Sequence, residues 1–109
     1  MARVLVCEPV EETRFLIERV VARMGHEIAG VDAAHVDVLF YEPASSAGTA
    51  RARDARRRWP GVVLIACSAV PPRSSITGPP PDAVLLHPFA PADVRRVLNA
   101  TLLAAVPAR

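Results

Sequence analysis

The chain has no lysine: all 13 basic residues among its 109 residues are arginines. Schiff-base chemistry and a Walker-type phosphate site both need a lysine amine, so both are excluded. Long hydrophobic runs are missing as well. Apolar stretches such as residues 62–67 are far shorter than the roughly 20 residues of a membrane-spanning helix. We therefore expect no membrane segment.

The composition is that of one folded domain covering residues 1–109. Hydrophobic residues make up 51% of the chain and charged residues 22%, which argues against disorder. The net charge of +2 points to no particular class of partner. The first residues enter a strand-like run without a signal-peptide pattern, so the cytoplasm is the expected location.

Short apolar runs alternate along the chain with segments of helical periodicity. Strands buried in a parallel sheet are continuous apolar runs, whereas a surface helix carries one apolar stripe. The predicted strands are residues 3–7, 27–31, 37–41, 62–67 and 83–86. The predicted helices open at Pro9, span residues 47–59, and open at Pro91. This alternation predicts an α/β fold with a parallel sheet and helices on both faces.

Two connections are too unusual to hold ordinary helices. Residues 32–36 are too few for the crossover helix that should join the second and third strands. Residues 70–81 contain five prolines and Gly78, and each interior proline costs a helix about 3 kcal/mol. We expect the second helix to be missing, and the fourth to be reduced to one turn at residues 74–77 or replaced by a proline-rich loop.

Five segments, in this order, resemble the receiver domain of response regulators, in particular the chemotaxis-regulator type. They are RVLVCEP (3–9), RMGHE (23–27), DVLFYE (37–42), LIACSA (64–69) and LHPF (86–89). The resemblance implies a flavodoxin-like doubly wound sheet of five parallel strands in the order 2-1-3-4-5. It also implies a cis peptide bond between His87 and Pro88, which is rare outside such conserved turns.

The strand order has a consequence for the two cysteines, Cys7 and Cys67. One strand would lie between them, and two strand spacings amount to roughly 10 Å, too far for a disulfide. We expect buried free thiols.

Receiver chemistry requires a phosphoacceptor aspartate, a Mg²⁺ held by two further acids, a lysine and a hydroxyl. At the matching positions Glu42 replaces the acceptor, and Glu8 is followed by Pro9 instead of the second acid. His87 replaces the lysine, and only Ser68 keeps its hydroxyl. The resemblance therefore implies a degenerate pseudo-receiver that is not an enzyme, with no catalytic residue, no metal and no cofactor.

Several alternatives remain open for these side chains. Glu42 could mimic a phosphorylated aspartate, although we expect it to be solvated. Glu8 and Glu42 could gather a divalent cation, but two carboxylates without a third ligand bind Mg²⁺ weakly. His87 could bind an anion or pair with Glu42, although a satisfied histidine at the rim is the commoner case. His26 and His35 are expected in surface loops.

The predicted helix over residues 47–59 carries the main charged feature of the chain. Its arginines are Arg51, Arg53, Arg56, Arg57 and Arg58. They lack the interleaved aromatic residues of a single-strand binder, and Trp59 is expected to pack at the helix end. A solvated helix face is the simpler interpretation, so we do not expect nucleic-acid binding.

The favoured interpretation is a phosphorylation-independent signalling or protein-interaction module of two-component type. Its partner, or a second copy in a homodimer, would bind through the fifth strand and the last helix. A ligand-binding or hydrolase-like domain using Glu8, Glu42, Ser68 and His87 is the alternative, although Ser68 lacks a Gly-x-Ser-x-Gly elbow. A third hypothesis is a residual phosphoacceptor at Asp37 or Glu42.

Overall fold

The computed structural model describes residues 1–68 and 78–105 of the chain. Five strands form one parallel sheet in the order β2-β1-β3-β4-β5, which confirms the predicted flavodoxin-like topology. The strands are β1 (Arg3–Cys7), β2 (Glu27–Ile28), β3 (Val38–Tyr41), β4 (Val63–Ser68) and β5 (Ala83–Leu86). The helices of the described residues are α1 (Glu11–Arg23), α2 (Ser46–Arg58) and α3 (Pro91–Ala105).

Helices α1 and α3 cover one face of the sheet. Ile17 and Val21 of α1, and Val94 and Leu98 of α3, have no exposed surface and pack in one core cluster with alternate residues of the strands, such as Phe40. Because successive strand residues point to opposite faces, the neighbours of Phe40 along β3 belong to the other cluster.

Helix α2 covers the second face, so the sheet is doubly wound. Small side chains, Ala52 and Ala55, let α2 lie close to β3. Trp59 is 6% exposed and donates a hydrogen bond from Nε1 to the Ala34 carbonyl oxygen at 3.1 Å. The Arg58 guanidinium lies 4.5 Å from the centre of the Trp59 ring. The expected packing role of Trp59 at the helix end is confirmed.

Two predicted boundaries were wrong by two or more residues, whereas those of β3, β4 and α2 differ from the structure by one residue. β2 has two residues instead of five, because Ala29 still bonds to the Val4 carbonyl oxygen but the chain then turns at Gly30. Helix α1 begins at Glu11 instead of Pro9, and the Val10 amide before it is bonded to the Glu8 carboxylate. Gly25, with a φ of 87°, follows the end of α1 as predicted.

The connection between β2 and β3 contains no helix, as expected. The predicted single turn at residues 74–77, and most of the proline-rich segment, lie outside the described residues. None of the helices formed by the described residues has the length and apolar character of a membrane-spanning segment.

The two cysteines are free thiols on strands separated by β3, as predicted. Cys67 is buried, whereas Cys7 is only partly buried, which corrects the expectation for that residue. Burial raises the pKa of both thiols, and the carboxylates of Glu8 and Glu42 add to the effect at Cys67.

Candidate functional site

The candidate site lies at the carboxyl end of the sheet, where parallel strands present their last residues side by side. Glu8 follows β1, Glu42 follows β3, Ser68 ends β4 and His87 follows β5. Cys7 is paired with Tyr41, which places Glu8 beside Glu42. His87 donates its backbone N–H to the Ser68 carbonyl oxygen at 2.9 Å.

Three of these side chains form a compact group of possible metal ligands. One carboxylate oxygen of Glu8, one of Glu42 and one ring nitrogen of His87 all lie within 4.8 Å of one another. The expectation of only two ligands was therefore incomplete. His87 is the third, because β5 carries it to the same end of the sheet as the two acids.

Glu8 is the buried member of the group, with only 4% of its surface exposed. Its Oε1 accepts a hydrogen bond from the Val10 N–H at 3.3 Å, whereas its Oε2 has no hydrogen-bond partner in the part of the chain that is described. Burial raises the pKa of the Glu8 carboxyl, and the hydrogen bond from the Val10 N–H opposes this rise in part. The nearby Glu42 carboxylate raises the pKa by a smaller amount, and His87 lowers it by less still.

Glu42 is held by the turn that opens α2. Its Oε1 accepts a hydrogen bond from the Ala44 N–H at 2.8 Å, and its carbonyl oxygen accepts one from Ser45 Oγ at 3.3 Å. Ser45 caps the helix by accepting from the Gly48 N–H at 2.9 Å. Helix α2 passes so close to the Glu42 carbonyl that only glycine fits at residue 48. The fold therefore positions the backbone at residue 42 and one oxygen of its half-buried side chain.

His87 is the first residue after β5. The bond from His87 to Pro88 is cis, as the resemblance implied. The imidazole ring is half-buried, and its centre lies 4.8 Å from that of Phe89 with the planes tilted by 45°. In the part of the chain that is described, His87 and Glu42 do not form an ion pair.

The donor set differs from what Mg²⁺ requires. Mg²⁺ prefers near-octahedral coordination by oxygen alone. Here the position of the second acid is Pro9, which has no ligand atom in its side chain, and the third ligand atom is a nitrogen. The residues present do not fit the magnesium ion of receiver domains.

The other candidate residues lie away from this group. Asp37 precedes β3, at the opposite end of the sheet, where its carboxylate accepts from the Arg3 N–H at 2.8 Å and contacts His35 Nε2 at 2.6 Å. The hypothesis of a phosphoacceptor at Asp37 was therefore wrong, because that residue is remote from the carboxyl ends. His35 is exposed, as expected, whereas the half-buried His26 accepts a hydrogen bond from the Ala2 N–H.

Several arginines of α2 make contacts within the domain. Arg56 pairs with Asp82 at 3.1 Å. Arg58 donates to the carbonyl oxygens of Val31 and Ala33. These contacts bind α2 to the loops around the sheet, and they favour a structural role for this part of the charged face.

Comparison with known proteins identifies the fold. No family model matches the sequence. No curated protein is significantly similar to it. Among solved structures, a two-component response regulator from Clostridium difficile aligns over 98% of this chain and 100% of its own, with a TM-score of 0.78 and 14% identity.

Two further structures are similar. The receiver domain of a sensor histidine kinase from Pseudomonas aeruginosa, solved with a magnesium ion in its active-site cleft, aligns over 93% of this chain and 97% of its own, with a TM-score of 0.70 and 18% identity. A chain from the complex of histidine kinase ThkA with response regulator TrrA aligns over 98% of this chain and 100% of its own, with a TM-score of 0.68 and 15% identity. The chain thus has the receiver fold.

Proposed function

We propose that this chain is a receiver-fold signalling module that acts through protein contacts and is not phosphorylated. The observation that carries the proposal is which residue occupies the acceptor position and how its side chain is bonded. Glu42, with a side chain one methylene longer than aspartate, stands there, and its Oε1 accepts a hydrogen bond from the Ala44 N–H of its own loop. The module is accordingly not an enzyme.

Electrostatics support the same conclusion. Phosphoryl transfer requires cations that neutralise the charge of the transferred group. The chain has no lysine, and in the described part no arginine forms an ion pair with Glu8 or Glu42. A phosphoryl group on Glu42 would add negative charge beside the buried carboxyl of Glu8.

The proposed contact surface consists of β5 and α3. Leu86 at the end of β5 is 45% exposed, and Leu103 on α3 is 78% exposed. When a partner covers exposed leucines of this kind, the removal of apolar surface from water lowers the free energy of the complex. One structural neighbour was solved in complex with a histidine kinase, which supports a protein as the class of partner. We propose a different protein or a second copy as the partner, and the cytoplasm as the location.

The test is a titration of the ¹⁵N-labelled protein with beryllofluoride in the presence of Mg²⁺, followed by amide NMR. We expect no saturable shift at Glu42 or Ser68. A triple variant, Pro9→Asp/Glu42→Asp/His87→Lys, restores the receiver residues and serves as the matched positive control. Saturable shifts at these two positions in the wild-type protein would refute the proposal.

Sedimentation velocity separates the two kinds of partner. A homodimer predicts a concentration-dependent shift that Leu103→Asp abolishes. A monomer at all concentrations would assign the surface to a different protein. The hydrolase hypothesis stays a prediction that an esterase screen with Ser68→Ala as control would check.

A further inference from the structure

The strongest unassigned feature of the molecule is the group formed by Glu8, Glu42 and His87. We propose that these three residues bind a divalent transition-metal cation of the Mn²⁺ to Zn²⁺ series, through one oxygen of each carboxylate and one ring nitrogen of His87. This inference does not rest on the proposed signalling function, because it is argued only from the positions and surroundings of these three side chains.

The geometry requires little movement. Bonds of about 2.1 Å in a tetrahedral zinc site place neighbouring ligand atoms about 3.4 Å apart. The three ligand atoms are already within 4.8 Å of one another. A contraction of about 1.4 Å at most is enough, and side-chain rotation at the strand ends can supply it.

The buried carboxylate of Glu8 is a second and independent indication of a metal site. Its Oε2 is buried and has no hydrogen-bond partner among the described residues, although buried carboxylate oxygens are normally satisfied. A cation would supply the missing partner.

Backbone amides already orient both carboxylates. The Val10 N–H donates a hydrogen bond to Glu8 Oε1, and the Ala44 N–H donates one to Glu42 Oε1. In each carboxylate one oxygen is thus held by the backbone, and the other is the one that a cation would use. Hydrogen bonds of this kind orient the ligands of natural metal sites.

The donor set selects the class of metal. Imidazole nitrogen suits zinc, iron and nickel, whereas carboxylate oxygen suits manganese and magnesium as well. Two carboxylates and a neutral imidazole balance the charge of one divalent ion. Three protein ligands also leave a position for water or for a group supplied by a partner.

The site joins the ends of three strands, so it exists only in the folded chain. Metal bound there should therefore stabilise the fold. This provides a readout that does not depend on any activity.

The experiment uses the full chain after removal of metals by a chelator. Zn²⁺ binding is measured by calorimetry, and Co²⁺ binding by visible absorption, each with Mg²⁺ in excess. We expect one equivalent of Zn²⁺ and Co²⁺ bands without the thiolate charge-transfer absorption that ligation by Cys7 would give. His87→Ala and Glu42→Gln should each weaken the affinity at least tenfold. Thermal unfolding should show a Zn²⁺-dependent rise that both variants lose.

His35→Ala is the matched control, because the exposed pair of His35 and Asp37 is the competing site for a metal. That variant should bind Zn²⁺ as the wild type does. Circular dichroism and Trp59 fluorescence establish that each variant is folded. The proposal fails if Zn²⁺ does not bind in excess Mg²⁺, if folded His87→Ala binds it unchanged, or if His35→Ala removes the binding. None of these results bears on the beryllofluoride test, so the two proposals can fail separately.

Discussion

Replacing Gly48 by alanine should destabilise the protein through a clash at the start of α2. A methyl group at residue 48 would overlap the carbonyl oxygen of Glu42. It would also lie 2.8 Å from the Glu42 carbonyl carbon and 3.0 Å from Ser45 Oγ. The obstructing atoms of Glu42 belong to the backbone, so they cannot move without displacing the loop that positions the Glu42 carboxylate.

The expected size of the effect follows from two opposing contributions. Overpacking a close contact costs about 1–3 kcal/mol, and a backbone obstacle favours the upper part of that range. Alanine recovers up to about 1 kcal/mol because it forms helices better than glycine does. The net loss in the free energy of unfolding should be about 2 kcal/mol. In urea this should lower the unfolding midpoint by about 1 M.

The assay is urea unfolding followed by the fluorescence of Trp59, which is the only tryptophan of the chain and is buried. Gly61→Ala is the matched control, because a methyl group added at Gly61 would have nothing within 4 Å and the residue does not have a positive φ. That variant should be neutral, or more stable by about 0.4–1 kcal/mol. If Gly48→Ala unfolds at the wild-type midpoint or above it, the close approach of α2 to Glu42 is wrong.

Three further predictions concern other parts of the molecule. Burial opposes ionisation of the Asp37 carboxyl, but the hydrogen bonds from the Arg3 N–H and His35 outweigh it and lower its pKa. Its contribution to stability is therefore present above the unfolded-state pKa of about 4 and is lost as the pH falls through the lower folded-state value. Asp37→Asn should destabilise the protein more at pH 7 than in strong acid. If the substitution lowers the urea unfolding midpoint equally at both pH values, this prediction is wrong. Leu98 is fully buried, so Leu98→Ala should lower the free energy of unfolding by about 2–5 kcal/mol. The exposed Leu103 provides the control, since Leu103→Ala should change that energy by less than about 0.5 kcal/mol. In thiol labelling of the native protein, Cys7 should react before Cys67. Burial raises the pKa of both thiols, but only Cys67 has no exposed surface. Equal labelling rates would be evidence against the described packing of β4.

The sequence predicted most reliably the elements that are defined by continuous apolar runs with sharp ends. The bounds of β1 and β5 agree with the structure, because each run stops at a charged or polar residue followed by proline. The bounds of β2 do not agree. Residues 29–31 have a composition compatible with a strand, but pairing at the edge of the sheet depends on where the chain turns, and the turn at Gly30 ends it.

The candidate site could be predicted only in outline. The rule that parallel strands place their last residues together was enough to group Glu8, Glu42, Ser68 and His87. It could not show that Glu8 is buried with one oxygen unsatisfied, since that depends on how the neighbouring loops close over it. It could not show the short distances from His87 to both acids either, because those depend on side-chain rotamers and on the turn at Pro88.

The shortness of β2 also limits how copies of this chain can join. A sheet grows from one molecule into the next when an outer strand offers a row of unpaired backbone N–H and C=O groups. β2 is the outer strand on one side of the sheet and has only two residues, Glu27 and Ile28. An added strand would find too few partners there to stay in register. This side of the molecule is therefore protected against fibre-like growth, and a specific partner must bind through side chains instead of through the backbone of β2.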